Sequence, residues 1–339
     1  MLPLKLEVEN FLAVKKAVLV SNRNVTFIVA PNKAGKTQLM LILYTVFWNL
    51  WRSQIEERFP NTKWVEKFKN VFLVRKANNL ISWKEKVAKI KLNLIDKEFE
   101  ITFFSSGRTE IKKENLTLLE KSPIYISPAG LGDFYKGIWA LKKYYKHWKL
   151  VSEAITDLLE DLFITSSETS LENDRDENLL SLFEKLFGAK YFIRDERIFI
   201  QEGDKSYGLE KTASGLKSLA WYYLIVKYNL LGSVLFIDEP EVNLHPEYIS
   251  KLAKFIFEIS KNRKVFIATH SDYLLESFNT LIKKYNLKVD VWIGFLKNGK
   301  SYYTHYTADR ENLIDTSPLN SVYTKILEEL FGYEGEIEI

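Results

Sequence analysis

The stretch Val25-Thr26-Phe27-Ile28-Val29-Ala30-Pro31-Asn32-Lys33-Ala34-Gly35-Lys36-Thr37 joins an apolar, β-branched run to a loop ending in Gly-Lys-Thr. A helical run follows over residues 38–51, opening at Gln38. Strand, loop and helix with Gly-Lys-Thr at the junction is the pattern of a phosphate-binding P-loop. Each part has a chemical reason. Backbone N–H groups at a helix N-terminus point at an anion, and the helix dipole favours it. Asn32, Lys33, Ala34, Gly35 and Gln38 are the expected cradle, with Gly35 allowing close backbone approach. Lys36 would reach the β- and γ-phosphates, and the Thr37 hydroxyl would ligate Mg²⁺. Ala30 stands where the pattern has its first Gly, and it restricts a backbone that glycine would leave free to take φ > 0. Taken alone, the stretch also fits an ordinary strand-to-helix turn.

Three segments far downstream carry further candidates. Val234-Leu235-Phe236-Ile237-Asp238-Glu239-Pro240 is a buried-strand run that ejects two carboxylates at its C-terminal end. Ligands of α/β sheets bind at that end. Asp238 would hold Mg²⁺, and Glu239 is placed to act as a base on an attacking water. The alternative is a solvated Asp-Glu-Pro turn. Ser214-Gly215 opens a helix and offers a hydroxyl and free N–H groups to an anion, or acts as a plain N-cap. Ile267-Ala268-Thr269-His270-Ser271 is a strand ending in a histidine that could bond a γ-phosphate or cap a turn. Glu241, Asn243 and His245 read as loop polar groups that could orient water or touch a second subunit.

The elements that must position these residues follow from periodicity. Residues 4–10 and 17–20 read as strands. Residues 38–51 are too apolar all round for a surface helix, so burial on several sides is expected. Residues 90–94 and 99–103 alternate apolar and polar around Asp96-Lys97, an antiparallel hairpin with one wet face. A helix is expected over 134–163, then an acidic, exposed segment over 166–177. A further helix over 178–187, with Asn178 as its cap, leads to a second hairpin at 191–193 and 197–200. Beyond residue 214, helices and strands alternate as in an α/β unit with a mainly parallel sheet. Asn298-Gly299 closes a last hairpin, and a terminal helix is expected over 321–331.

The chain of 339 residues has 46% hydrophobic and 27% charged residues, ordinary for a globular protein with a sizeable core. A net charge of +4 permits nucleic-acid contact without arguing for it. Zero Cys excludes disulfides, zinc–thiolate sites and a Cys nucleophile, and fits a cytoplasmic location. No apolar run approaches a membrane span, so no membrane partner is expected.

Together, residues 30–37, Ala213-Ser214-Gly215-Leu216-Lys217, the run Phe236 to Pro246 and Thr269-His270-Ser271 resemble the motifs of ABC-type ATPases. The set looks closest to the soluble branch of SMC-like repair ATPases and the overcoming-lysogenization-defect (OLD) family. The resemblance implies an α/β fold, a P-loop NTPase of ABC-ATPase type, with a mixed central sheet, an antiparallel β-subdomain and a helical lobe. It divides the chain into an N-terminal core part (1–133), a helical lobe (134–230) and a C-terminal core part (231–339). It makes Lys36 and Thr37 Walker A residues, Asp238 the Walker B magnesium residue, Glu239 the catalytic base and His270 the switch histidine. Ser214 and Gly215 become the signature motif. ATP and Mg²⁺ are the implied cofactors, and a homodimer sandwiching ATP is the implied assembly. Lys36 and Ser214 of one chain are then expected to be far apart and to serve different active sites. Leu216-Lys217 departs from the usual Gly-Gln, and no Q-loop glutamine is found near Ser127-Pro128-Ala129.

The stretch after His270 looks too short for the nuclease domain of OLD-family proteins, so an ATPase without its own nuclease is expected. Its role would lie in DNA repair or defence. The alternatives are a nucleotide-switched module acting on nucleic acid or an effector protein, and, further off, a transporter subunit. Lys142, Lys143, Lys146, His147 and Lys149, interleaved with Tyr144, Tyr145 and Trp148, are a candidate nucleic-acid contact or simply one face of an amphipathic helix.

Overall fold

The computed structural model describes residues 3–56, 58–95, 97–114, 119–128, 135–138, 140, 151–166 and 175–316. The basic–aromatic stretch at 142–149, most of the acidic segment at 166–177 and the terminal helix at 321–331 lie outside the described residues.

The chain runs β1 (Leu4–Phe11), β2 (Val14–Ser21), β3 (Val25–Val29), α1 (Lys36–Ile55), α2 (Asn61–Val71), β4 (Val87–Leu94), β5 (Lys97–Phe104), β6 (Thr109–Lys113) and β7 (Ile124–Ile126). Then come α3 (Glu153–Ser166), α4 (Glu177–Phe187), β8 (Lys190–Arg194), β9 (Arg197–Glu202), β10 (Lys205–Gly208) and α5 (Ser214–Lys227). The described part ends with β11 (Val234–Asp238), α6 (Pro246–Ser260), β12 (Lys264–Thr269), α7 (Asp272–Tyr285), β13 (Val289–Lys297) and β14 (Lys300–Ala308).

An eleven-stranded mixed sheet has the order β6-β5-β4-β1-β2-β14-β13-β3-β12-β11-β7. Its β13-β3-β12-β11-β7 portion is parallel. The β6-β5-β4-β1-β2 portion is antiparallel. The fold class is therefore the expected α/β one, with an antiparallel part attached to a parallel core. Every residue of β3, β11 and β12 is buried, because helices cover both faces. Val25, Phe27 and Val29 of β3 pack into the core beneath α4 to α7, while Ile28 faces the core built on α1 and α2. α1 is buried on several sides, with Leu39, Leu43, Val46 and Phe47 in the second core.

Register places the site. Thr269 pairs with Val29, and Asp238 with Ala268, so three adjacent parallel strands end along one edge. The P-loop, the Asp-Glu pair and the histidine leave the sheet there.

Two expected local features are corrected. The helix over 134–163 is not continuous: Val151 and Ser152 are non-helical, and α3 starts at Glu153. The Ser152 hydroxyl instead donates to the carbonyl of Val71, tying α3 to the end of α2. The cap of α4 is Asp176, whose side chain accepts from the Leu179 N–H, and not Asn178. Two short strands, β6 and β10, were not expected from the sequence.

Candidate active site

The loop after β3 turns through two left-handed residues, Lys33 (φ 70°) and Gly35 (φ 84°), while Ala30 is not left-handed. The restriction expected at Ala30 therefore does not arise. Its small size matters elsewhere, since a Cβ on Gly294 would lie 2.6 Å from that of Ala30. Gly35 caps α1 with no side-chain bond, so the first N–H groups of a twenty-residue helix face outward. Tyr303 props the loop from behind, its hydroxyl donating to the Ala34 carbonyl at 2.8 Å. Asn32, Lys33 and Thr37 are exposed. Gln38 is already engaged: its Oε1 accepts from the Ala13 N–H at 3.0 Å.

Lys36 is 6% exposed and donates to the Ala30 carbonyl at 2.9 Å. Burial pulls its pKa down, against the raising fields of Glu239, Asp238 and Glu241. Asp238 is 1% exposed, and burial pushes its carboxyl up to about 6. The hydroxyls of Thr37 and Tyr125 oppose that rise, Tyr125 donating to Oδ2 at 2.8 Å. Among the described residues, the buried Oδ1 keeps no well-formed hydrogen bond. An uncompensated buried carboxylate oxygen beside an exposed threonine hydroxyl suits a hard divalent cation. Among the described residues, no group of three or more His, Asp or Glu assembles as metal ligands. A carboxylate with a hydroxyl leaves the other positions to phosphate oxygens and water, as Mg²⁺ prefers.

Glu239 sits at φ 47° and donates its N–H to the Ala268 carbonyl at 2.8 Å. This conformation turns its side chain toward the histidine: Oε1 lies 3.2 Å from Nδ1 of His270. Glu241 reads in the sequence as a loop polar group that could orient water or touch a second subunit. It is instead buried, with Oε1 accepting from Thr269 Oγ1 at 2.7 Å and from the His270 N–H at 3.2 Å. His245 caps α6, its Nδ1 accepting from the Glu247 N–H.

The structure thus brings Lys36, Thr37, Asp238, Glu239 and His270 together. Ser214 and Gly215 do not join these contacts among the described residues. Ser214 is exposed and is the first helical residue of α5, whose N-cap, Ala213, offers no side-chain bond. The plain-cap alternative for Ser214 therefore falls. A Cβ on Gly215 would lie 2.9 Å from the Asn243 carbonyl oxygen, so this glycine permits close packing of α5 on the turn after Glu239. Sequence reasoning missed Tyr125, Gly294 and Tyr303. Their only signal is proximity in the folded sheet.

Beside the P-loop, a groove of about 570 Å³ is lined by Leu12, Ala13, Gln38, Asn78, Ser82 and Trp83. Trp83 is 85% exposed.

The sequence matches, over residues 82–276, the protein family described as "AAA domain, putative AbiEii toxin, Type IV TA system". That span includes Ser214, Asp238, Glu239 and His270 and begins after the P-loop. No curated protein sequence matches the chain. Among solved structures, the fold is similar to the Pyrococcus furiosus Smc head domain bound to the C-terminal domain of ScpA. The TM-score is 0.54 at 15% identity, covering 97% of this chain and 100% of that one. An SmcHead bound to the C-winged helix domain of ScpA gives 0.54 at 16% identity, covering 91% and 98%. The Smc head of Pyrococcus yayanosii gives 0.54 at 13% identity, covering 97% and 100%. These likenesses show the fold of an Smc head domain. With the family match extending over more than half of its residues, the chain belongs to the AAA-domain family that carries the AbiEii-type description.

Proposed function

We propose that the protein is a Mg²⁺-dependent ATPase that dimerises on ATP. The observation that carries this reading is the convergence of Lys36, Thr37, Asp238, Glu239 and His270 at the ends of three adjacent parallel strands. The uncapped start of α1 and Lys36 bind the phosphates. Thr37 and Asp238 would hold Mg²⁺, which would supply positive charge to the phosphates when bound. Glu239 takes the proton of the attacking water, and His270 orients that carboxylate and contacts the γ-phosphate. Trp83 and its groove offer the nucleoside an aromatic wall beside the P-loop.

The exposed, uncapped start of α5 supports a shared site in which Ser214 of one subunit faces the nucleotide of the other. In this proposal residues 1–133 and 231–339 form the core and 134–230 the helical lobe. The process is defence or repair in the cytoplasm, in keeping with the AbiEii-type family and the OLD-like motifs. The partner is an effector protein or nucleic acid. Among the described residues, no helix is long and apolar enough to cross a membrane.

The test is Mg²⁺-dependent phosphate release by the wild-type chain, with Lys36→Ala and Ser214→Arg subunits mixed as a second arm. Each variant alone should be inactive, and verified heterodimers should regain one working site. Full activity of Lys36→Ala alone would sink the site, and no recovery in the heterodimer would sink the shared arrangement.

A further inference from the structure

We infer that Glu241 is a positioning residue for His270, and that it links the start of α5 to that histidine. The inference rests on the ATP-hydrolase reading above. Burying a carboxylate is unfavourable unless its oxygens are well bonded. Glu241 is 9% exposed, and its Oε1 accepts two bonds from the end of β12, from Thr269 Oγ1 and the His270 N–H. Among the described residues, Oε2 is buried with no well-formed hydrogen bond. A residue chosen for stability alone would not leave that oxygen unsatisfied. The bonded oxygen fixes where the backbone of His270 leaves the sheet. It also stands 3.7 Å from Nδ1, on a ring that Glu239 approaches at 3.2 Å.

The same turn carries α5. Val242 N–H bonds to the Glu239 carbonyl at 3.2 Å, and Leu244 N–H to the Glu241 carbonyl at 3.0 Å. Asn243 is left-handed, at φ 66°, and its carbonyl is the group that Gly215 must avoid. A shift at the first turn of α5 therefore presses on Asn243, moves Glu241 within a bonded turn and reaches His270. Contact made by a second subunit at Ser214 would be transmitted to the histidine of the same chain by this route.

The test uses the full chain and Mg-ATP, with kcat and KM measured separately. Glu241→Ala should lower kcat by about 30-fold, with KM changed by less than about threefold, because a misplaced catalytic constellation loses rate before affinity. Glu241→Gln keeps an acceptor oxygen of the same reach and should recover about tenfold of that loss. In a His270→Ala background, Glu241→Ala should cost less than about twofold more, since coupled residues are not additive. Gly215→Ala should likewise lower kcat in the wild type and add little to Glu241→Ala. Additive losses, or a Gln variant no better than Ala, would overturn the link. If Glu241→Ala melts early, Thr269→Val takes its place with the same non-additivity expected. A wild-type chain without ATPase activity, or a fully active His270→Ala, would instead overturn the ATP-hydrolase reading itself.

Discussion

Two glycines sit at the starts of two helices, and they are there for opposite reasons. Gly35, before α1, is left-handed at φ 84°, a conformation that costs other residues about 1 kcal/mol or more. Gly215, in the first turn of α5, is not left-handed, but a Cβ would strike the Asn243 carbonyl. The first glycine serves conformation and the second serves approach. The surroundings differ in the same sense. Around Gly35 the chain supplies its own lysine, threonine and carboxylates, whereas the start of α5 shows an exposed serine and no side-chain cap. One helix start gathers lysine, threonine and carboxylate side chains around it, and the other presents an exposed serine.

The comparison breaks first at Lys36. Lys36→Ala removes the lysine cation that acts with Asp238, Glu239 and Glu241. ATP binding should weaken by about 100-fold or more, as when one partner of a desolvated charge pair is lost. Isothermal titration with ATP checks it. Ser214→Ala should leave that affinity in the isolated chain within about twofold, because no described contact joins Ser214 to the cluster.

Asp238 gives the next effect, and it concerns stability. Its carboxyl is raised to about 6 from an ordinary 3.8. The folded chain therefore holds this proton more tightly than the unfolded chain does. The associated stability is fully present below about pH 4 and is lost as pH rises through about 6. The cost at neutral pH is on the order of 3 kcal/mol. Asp238→Asn removes the charge, so the variant should melt several degrees above the wild type at pH 7.5, with the gap narrowing toward pH 4. It should also be inactive. A variant that melts lower at pH 7.5 would contradict the placement of an uncompensated carboxylate there.

Much of this site was legible because its residues are consecutive. The strand before Gly-Lys-Thr and the alternation of helices and strands beyond residue 214 follow from apolar runs bounded by Gly-Lys-Thr, His-Pro and Ser-Asp punctuation. Asp238 and Glu239 are legible because a fully buried strand must release its first carboxylates at its end. β6 and β10 were not legible: Thr-Glu-Ile-Lys-Lys and Lys-Ser-Tyr-Gly are polar sheet edges with no buried face to set a period. The burial of Glu241 had no local signal, because it is created by Thr269 and His270 arriving on the next strand. Tyr303, 269 residues from Ala34, reaches the P-loop only because β13 lies beside β3.

The smallest expected effect sharpens the P-loop side of the comparison. Trp83→Ala should raise KM for ATP by about fivefold, within the range of aromatic stacking on a base. It should not alter the melting temperature, because the side chain is 85% exposed. Fluorescence titration of ATP and thermal melts separate the two quantities.

Glu239→Gln tests the central claim most directly, because it changes one atom at the contact with His270 and leaves Lys36, Thr37 and Asp238 in place. ATP affinity and single-turnover hydrolysis are measured on the same preparation. The expected result is ATP affinity within about threefold of the wild type and hydrolysis slower by about 100-fold or more, the usual contribution of a positioned base. Hydrolysis at the wild-type rate by Glu239→Gln would contradict the account.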